Sequence, residues 1–304
     1  MQGSARTSGR EGEAWIVPFA SSLAGSAPVS EWRVDQAKPA TLPDRLFHWE
    51  SFAPPPSDNA EPYTLQWYLA IEHQRHGRQA RWIPQLLEFG KHPGETLLGL
   101  GHGLGTDWVQ YARNGAKVIA CSPTAEELSL IRQNFELRGL RGRFLHADPV
   151  HLPLAAASVD VALVNGLLHE LARPEPLVEE LFRVLRPDGK VVAVVPARYG
   201  ARYWARLWRW TLIRPPADLF SVPQSPWDEP KSESTPPGNF SGRQLKRMFS
   251  LYSNHRIHKR HIRRRELPWI TRCLPRDWLE RWFGNYLILK AFKPVGMAQQ
   301  RAAA

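Results

Sequence analysis

A run of alternating glycines is the feature of this sequence best suited to binding a small molecule. Gly99, Gly101, Gly103 and Gly105 follow directly on a short apolar stretch and precede a segment with helical spacing. Because glycine has no side chain, a turn built from it lets a ligand lie against the backbone. The N–H groups at the start of the following helix attract polar or negative groups. The pattern therefore predicts a ligand site at a strand-to-helix junction.

The spacing of these glycines argues against a nicotinamide dinucleotide as the ligand. Dinucleotide-binding turns have the spacing G-x-G-x-x-G and an acidic residue at the end of the second strand. Here the spacing is G-x-G-x-G, and the second predicted strand, Lys117–Ala120, is followed by Cys121, Ser122 and Pro123. Both differences count against NAD.

The glycine run lies in a part of the chain where short apolar segments alternate with amphipathic ones. The predicted strands are Thr96–Gly99, Lys117–Ala120, Arg143–His146, Val159–Asn165 and Lys190–Val195, and the predicted helices between them are Asp107–Asn114, Ala125–Arg138 and Pro176–Leu185. The fourth of these strands is almost wholly apolar, as expected of a strand buried on both faces. This alternation predicts an α/β fold with a parallel sheet and helices on both faces.

Composition divides the rest of the chain. Residues 1–60 are rich in Ser, Ala, Gly and Pro and are predicted to be a flexible extension. Residues 61–294 are predicted to form one domain, with a helical cap over 61–90 and a basic, aromatic insertion on the acceptor side over 197–240. A helix, Gly242–Phe249, and two strands, His255–Arg263 and Tyr286–Phe292, are predicted after the insertion. Residues 295–304 are predicted to be a disordered tail.

The basic excess of the chain is confined to its last third. The formal net charge is +11, and residues 197–304 hold 21 of the 40 Lys and Arg residues but only 7 of the 29 Asp and Glu residues. This imbalance fits a solvated basic face, or contact with an anionic substrate, a lipid surface or nucleic acid. Two cysteines outside any CxxC pair, and no apolar run of about 18 residues, favour a cytoplasmic protein, with peripheral membrane contact as a further possibility.

Five features in order resemble the class I S-adenosylmethionine (SAM) methyltransferases. They are the glycine run continuing into Thr106-Asp107 with Tyr111-Ala112, then Ala147-Asp148 with Leu152-Pro153-Leu154, Ser158–Val161, Leu168-His169, and Arg183–Gly189. The likeness is to the methyltransferase type 11 branch with a G-x-G-x-G-T-D loop and covers about residues 63–293. It implies a Rossmann-like, mainly parallel sheet of seven strands and SAM as the cofactor.

The resemblance also implies roles for matching positions. Gly101, Gly103 and Gly105 would pass under the methionine part of SAM, and Asp148 would face the adenine amine, an acceptor-to-donor pairing. Asn165 and Gly166 would line the site beside the sulfonium. The whole predicted cofactor-binding set is Gly99, Gly101, His102, Gly103, Gly105, Ser122, Pro123, Asp148, Pro149, Asn165 and Gly166.

Two positions depart from the family pattern. Gly99 stands where the family usually has an acid that helps to anchor the amino group of SAM. Ser122 stands where an acid usually accepts hydrogen bonds from both ribose hydroxyls, and serine can make only one of them. Losing a charge-assisted hydrogen bond costs about 1.5–3 kcal/mol. Weakened cofactor binding is therefore expected.

His169, after the fourth predicted strand, is the candidate catalytic residue, because imidazole can take a proton near neutral pH. A structural role for His169 is the alternative. The predicted function is methyl transfer from SAM to a small-molecule or lipid-like acceptor, with an anionic membrane surface as a further candidate partner.

Two other functions remain open: a non-catalytic, methyltransferase-like binding protein, and an RNA methyltransferase that uses the basic run 256–265. The fourth strand is followed by Asn165-Gly166-Leu167-Leu168, not by the Asn-Pro-Pro-Tyr element of base N-methyltransferases, which disfavours nucleic acid. No metal site is predicted, since His255, His258 and His261 have a spacing that suits neither a strand face nor a helical ligand pair.

Overall fold

A computed structural model describes residues 61–77, 80–201, 203–204, 239–262 and 274–295. The predicted extension 1–60, residues 202 and 205–238 of the predicted insertion, and residues 296–304 of the predicted tail lie outside these ranges.

Seven strands form one sheet in the order β3-β2-β1-β4-β5-β7-β6. The strands are β1 Thr96–Gly101, β2 Lys117–Ser122, β3 Arg143–His146, β4 Val159–Asn165, β5 Leu185–Pro196, β6 Ser253–Arg260 and β7 Tyr286–Phe292. The first five strands are parallel to one another, and β7 lies between β5 and β6 and is antiparallel to both. The prediction of a mainly parallel seven-stranded sheet is confirmed, and the carboxyl ends of β1, β2, β4 and β5 meet along one edge.

Helices cover both faces of the sheet. They are α1 Leu65–His76, α2 Trp82–Leu87, α3 Thr106–Arg113, α4 Ala125–Glu136, α5 Glu175–Val184, α6 Gly242–Met248 and α7 Arg276–Phe283. Alternate residues of β5 enter two separate apolar layers, because side chains of a strand alternate between its faces. One layer holds Val191 with α5 and α6, and the other holds Val192 with α2, α3 and α4. Within the described ranges, no helix combines the length and apolar character needed to cross a bilayer.

The first helix packs on the glycine loop. Trp67, Tyr68 and Ile71 of α1 form a small buried cluster with Leu104 of the loop and Leu130 of α4. The Tyr68 hydroxyl donates a hydrogen bond to the carbonyl of Leu130 at 3.0 Å. Helix α1 therefore packs directly on the glycine loop and on α4.

Candidate cofactor-binding site

The loop after β1 has a backbone that suits glycine. Gly101, Gly103 and Gly105 have φ angles of +149°, +126° and +69°, in a region that other residues rarely adopt. A Cβ atom on Gly101 would lie 2.0 Å from the backbone oxygen of Asn165, its register partner in β4. The loop therefore packs closely against β4 and offers backbone, not side chains, at these three positions.

Asp107, at the start of α3, ties this loop to the cap and to β4. Arg75 of α1 binds both carboxylate oxygens, with Nε 2.8 Å from Oδ1, and His76 Nε2 lies 3.0 Å from the same Oδ1. Asn165 Nδ2 donates to the other oxygen at 3.3 Å. Burial alone would raise the pKa of Asp107, but the guanidinium of Arg75 and the His76 ring hold it well below its usual value. Asp107 is therefore an ionised acceptor.

The Asn165 side chain has one acceptor left over. An ionised carboxylate can only accept hydrogen bonds, so the amide atom that faces Asp107 must be the NH₂ group. The remaining atom, Oδ1, is buried and has no hydrogen-bond partner in the described part of the chain. A buried acceptor without a donor costs about 1–3 kcal/mol. The α-ammonium of SAM is a donor that would satisfy this oxygen, so Asn165 fits the cofactor.

At Gly99, an indole ring takes the place of the family's acid. A Cβ atom on Gly99 would lie 2.5–2.6 Å from three ring atoms of Trp108. Trp108 is 4% exposed and belongs to the apolar layer between the sheet and α3. A side chain at position 99 would have to displace that ring, so the structure offers no carboxylate at this position. Whether Gly99 touches a cofactor stays a prediction.

At the end of β2, a carboxylate is present although the strand carries none. Glu127, in the first turn of α4, is 2% exposed, and its Oε2 accepts a hydrogen bond from Ser122 Oγ at 3.1 Å. The sequence prediction did not include Glu127. A signal was available, because acids favour the first turn of a helix and two of them, Glu126 and Glu127, stand there. The sequence did not show that one of them turns back to Ser122.

His102 of the glycine loop joins this carboxylate to the segment after β4. Its Nδ1 lies 2.9 Å from Glu127 Oε2, and its Nε2 lies 3.0 Å from Glu170 Oε2. Burial lowers the pKa of His102, but the hydrogen bonds to the two carboxylates outweigh burial and raise it to about 9. At neutral pH the ring is therefore a cation that donates to both carboxylates.

The other predicted cofactor residues lie at the ends of β2, β3 and β4. Asp148 follows β3 and is exposed; one carboxylate oxygen accepts from the Val150 N–H at 3.0 Å and the other lies 3.1 Å from His151 Nδ1. Both contacts lower the pKa of Asp148. Pro149 beside it is buried, and the carbonyl of Pro123 lies 3.1 Å from His146 Nε2. Contact of these residues with a cofactor stays a prediction.

Gly166 and the candidate catalytic residue lie in the segment directly after β4. Gly166 has a φ angle of +75°, which allows the chain to turn immediately after Asn165. His169 is half-buried in the turn that follows, next to Glu170. The structure thus brings His169 into the segment that His102 contacts, and its catalytic role stays a prediction. No group of three or more His, Cys, Asp or Glu side chains suited to a metal ion occurs among the residues described.

Comparison with known proteins agrees with this geometry. Residues 97–193 match the methyltransferase domain family. The chain is 33% identical over 99 residues to a demethylmenaquinone methyltransferase of Clavibacter sepedonicus, covering 33% of this chain and 40% of that protein. It is 29% identical over 128 residues to the demethylmenaquinone methyltransferase of Thermobifida fusca, covering 41% and 51%. The chain therefore spans about half or less of the curated relatives that it matches.

The fold also matches solved structures. The crystal structure of the [4+2]-cyclase SpnF superposes with a TM-score of 0.50 at 17% identity, over 79% of this chain and 86% of that one. At this identity the match concerns the fold alone. The match of residues 97–193 to the methyltransferase domain family, the strand order and the glycine loop agree with one another and support a SAM-dependent methyltransferase domain in this part of the chain.

Proposed function

We propose that this chain binds SAM at the carboxyl ends of β1, β2 and β4 and transfers its methyl group to a small-molecule or lipid-like acceptor. The observation that carries the proposal is the buried, unsatisfied Oδ1 of Asn165 beside Gly101. A cationic ammonium is the natural donor for such an oxygen. When bound, SAM supplies an electrophilic methyl group on a sulfonium.

Each part of the site has a task in this proposal. The loop Gly101–Gly105 presents backbone to the methionine part, and Asn165 Oδ1 accepts from the ammonium. Asp148 receives the adenine amine with the lone pairs that Val150 and His151 leave available. Most of the rate enhancement comes from holding the acceptor in line with the methyl group. His169 takes the proton of an acceptor hydroxyl, and an acceptor that is already ionised does not require it.

An exposed aromatic surface at the same edge of the sheet supports a lipid-like acceptor. Tyr199, Trp278 and Trp282 are 45%, 49% and 63% exposed. Lys259 Nζ donates to the backbone carbonyls of both Tyr199 and Trp282, which places the segment after β5 beside α7. Because β5 ends and β7 begins at this edge, the surface formed by the three aromatic residues lies on the side where β1 and β4 end.

The chemistry of this aromatic surface suits an anionic membrane. Arg198 and Arg281 are exposed beside its aromatic residues. Tyrosine and tryptophan with adjacent arginines favour the interface between lipid head groups and acyl chains. The name of the relatives, demethylmenaquinone methyltransferase, supports an apolar acceptor drawn from such a membrane.

The acceptor proposal is tested by vesicle sedimentation and by methyl transfer from radiolabelled SAM to demethylmenaquinol, the reduced and electron-rich form of demethylmenaquinone, carried in the same vesicles. The wild-type protein is expected to bind vesicles that contain anionic lipid and to label the quinol. The Trp278→Ala/Trp282→Ala variant should lose most of its vesicle binding and most of its acceptor labelling. It should keep its stability, because the two indole rings are exposed. Leu137→Ala, which removes an exposed apolar side chain beyond α4, is the control. Equal vesicle binding by the double variant and the control would refute the surface.

A non-catalytic binding protein is the second candidate, because Trp108 occupies the place of the first acid. This alternative predicts nucleoside binding without methyl transfer to any quinol or small-molecule acceptor. Labelling of an acceptor by the wild-type protein excludes it.

A further inference from the structure

Two side chains, Ser122 and His102, contact the Glu127 carboxylate, and a ligand could replace one of them. Ser122 Oγ donates to Oε2, and both atoms belong to side chains that are almost fully buried. His102 Nδ1 reaches both oxygens, at 2.9 Å and 3.1 Å. Ser122 is fixed in β2, whereas His102 lies on the glycine loop and has a second carboxylate partner in Glu170. If His102 moves away from Glu127, its charged ring can therefore keep its ion pair with Glu170.

A vicinal diol is the ligand that suits the position His102 holds. The two oxygens of a carboxylate accept hydrogen bonds from two neighbouring hydroxyls, and such charge-assisted bonds are about twice as strong as neutral ones. The Glu127 side chain is 3% exposed, so a ligand reaches its carboxylate by displacing a group that contacts it, and His102 on the glycine loop is such a group. The end of β2 beside the glycine loop is also the end at which β2 itself lacks an acid.

A second, independent observation points to a ligand at this loop. The unsatisfied Oδ1 of Asn165 lies on the β4 side of the glycine loop, and Glu127 lies on its β2 side. The Asn165 oxygen can accept from an ammonium group, and the two oxygens of the Glu127 carboxylate can accept from two hydroxyls. A ligand with an ammonium group and a cis-diol in one molecule satisfies both.

We propose that Glu127 of α4 is the carboxylate that binds a ribose cis-diol in this protein, with Ser122 as its positioning residue and His102 as its partner before the ligand arrives. The charge that the family carries on the strand has moved to the following helix, five residues further along the chain. The proposal rests on the proposed SAM binding and adds to it the residue that recognises the ribose.

The test compares adenosine with 2′,3′-dideoxyadenosine as competitors of SAM, measured by isothermal titration with the full-length chain. Wild type and Glu126→Gln, which neutralises the exposed neighbour of Glu127, should prefer adenosine by about tenfold to a hundredfold. Glu127→Gln should bring the preference close to one. The Ser122→Asp/Glu127→Gln double variant, which returns the charge to β2, should restore it. Circular dichroism and thermal melting confirm the fold of each variant.

The outcomes separate this inference from the proposed function. Absence of SAM binding by the wild type would overturn both. SAM binding with an adenosine preference that survives Glu127→Gln would overturn the role of Glu127 and leave the proposed function intact. If Glu127→Gln does not fold, Glu127→Asp keeps the charge and withdraws it by one methylene. Its adenosine preference should then fall below that of Glu126→Gln, and an unchanged preference would overturn the inference.

Discussion

The ends of β1 and β2 both lack the acidic residue that class I methyltransferases usually carry there, but the structure treats the two losses differently. At Gly99 in β1, the Trp108 indole fills the space that a side chain at this position would take. At Ser122 in β2, a small side chain leaves room, and the carboxylate of Glu127 enters from α4. One acid has been replaced by packing and the other by a charge from the next helix.

This difference shows why a missing motif residue is weak evidence for a lost function. A sequence motif assigns each function to one position in the chain. A binding site requires only that a suitable hydrogen-bond acceptor lie near the ligand, whichever element carries it. At the β1 end, an acceptor is supplied by a different strand, through Asn165 Oδ1. At the β2 end, it is supplied by a different helix. Both ends of the site thus keep a hydrogen-bond acceptor.

The largest loss of SAM affinity is expected from a substitution in the glycine loop, which lies between the β1 and β2 ends of the proposed site. Gly103→Val should abolish SAM binding, because its side chain would occupy the ligand's place in a loop with a φ angle of +126°. The control is Gly139→Val, at another positive-φ glycine that has open space around it beyond α4. Isothermal titration should find SAM binding to the control only. Equal affinity in the two variants would show that the ligand does not lie on the loop.

The second prediction concerns stability, and it places an acidic residue at position 99 of β1. Gly99→Asp should lower the free energy of unfolding by about 3 kcal/mol or more, because it overpacks Trp108 and buries a charge. Urea denaturation measures the loss. Ser122→Asp/Glu127→Gln is the matched case at β2, and it should lose less because it keeps one carboxylate in the same place. If Gly99→Asp is as stable as wild type, the Trp108 ring does not exclude a side chain from position 99.

The link between the β2 end and the segment after β4 should respond to pH. The carboxylates of Glu127 and Glu170 raise the pKa of His102 to about 9, above the unfolded value of roughly 6.5. Its contribution to stability is therefore complete below about pH 6.5 and is lost as the pH rises through about 9. Between pH 6.5 and pH 9, the free energy of unfolding of the wild type should fall by about 1–3 kcal/mol more than that of His102→Gln. Parallel urea curves for the two proteins at every pH would contradict the charged bridge.

The smallest effect should come from removing the hydroxyl that positions Glu127. Ser122→Ala leaves the carboxylate in place with one hydrogen bond fewer, a loss of about 0.5–1.5 kcal/mol. The affinity for SAM should therefore fall only a few-fold, well short of the loss in Glu127→Gln. A larger loss in Ser122→Ala than in Glu127→Gln would mean that Ser122, not Glu127, binds the ribose.

Much of the fold could be predicted because it follows from local patterns. The boundaries of β3, β4 and β7 agree with the predicted segments. Strands β4 and β7 are mostly apolar runs, and the short β3 is bounded by turn residues. The predicted first strand was too short: β1 continues to Gly101, because pairing with β4 holds glycines in extended form that have no strand propensity of their own. Helix α7 was not predicted, since only Leu279 and Glu280 of its eight residues are buried.

The site was harder to predict than the fold. The glycine loop, Ser122 and Asn165 could be found because their positions in the chain follow the strands that end beside them. The contacts of Trp108, Glu127 and His102 could not be predicted, because each joins a side chain of one element to a residue of a different element. The unsatisfied oxygen of Asn165 depends likewise on Asp107, which Arg75 and His76 of α1 hold in place.

The most direct test of the account is a calorimetric titration of the full-length protein with SAM. If packing at β1 and the shifted charge at β2 preserve the site, wild type binds SAM with a micromolar dissociation constant, and Glu127→Gln binds it about tenfold to a hundredfold more weakly. No heat of binding at millimolar SAM in the folded wild-type protein would contradict the account.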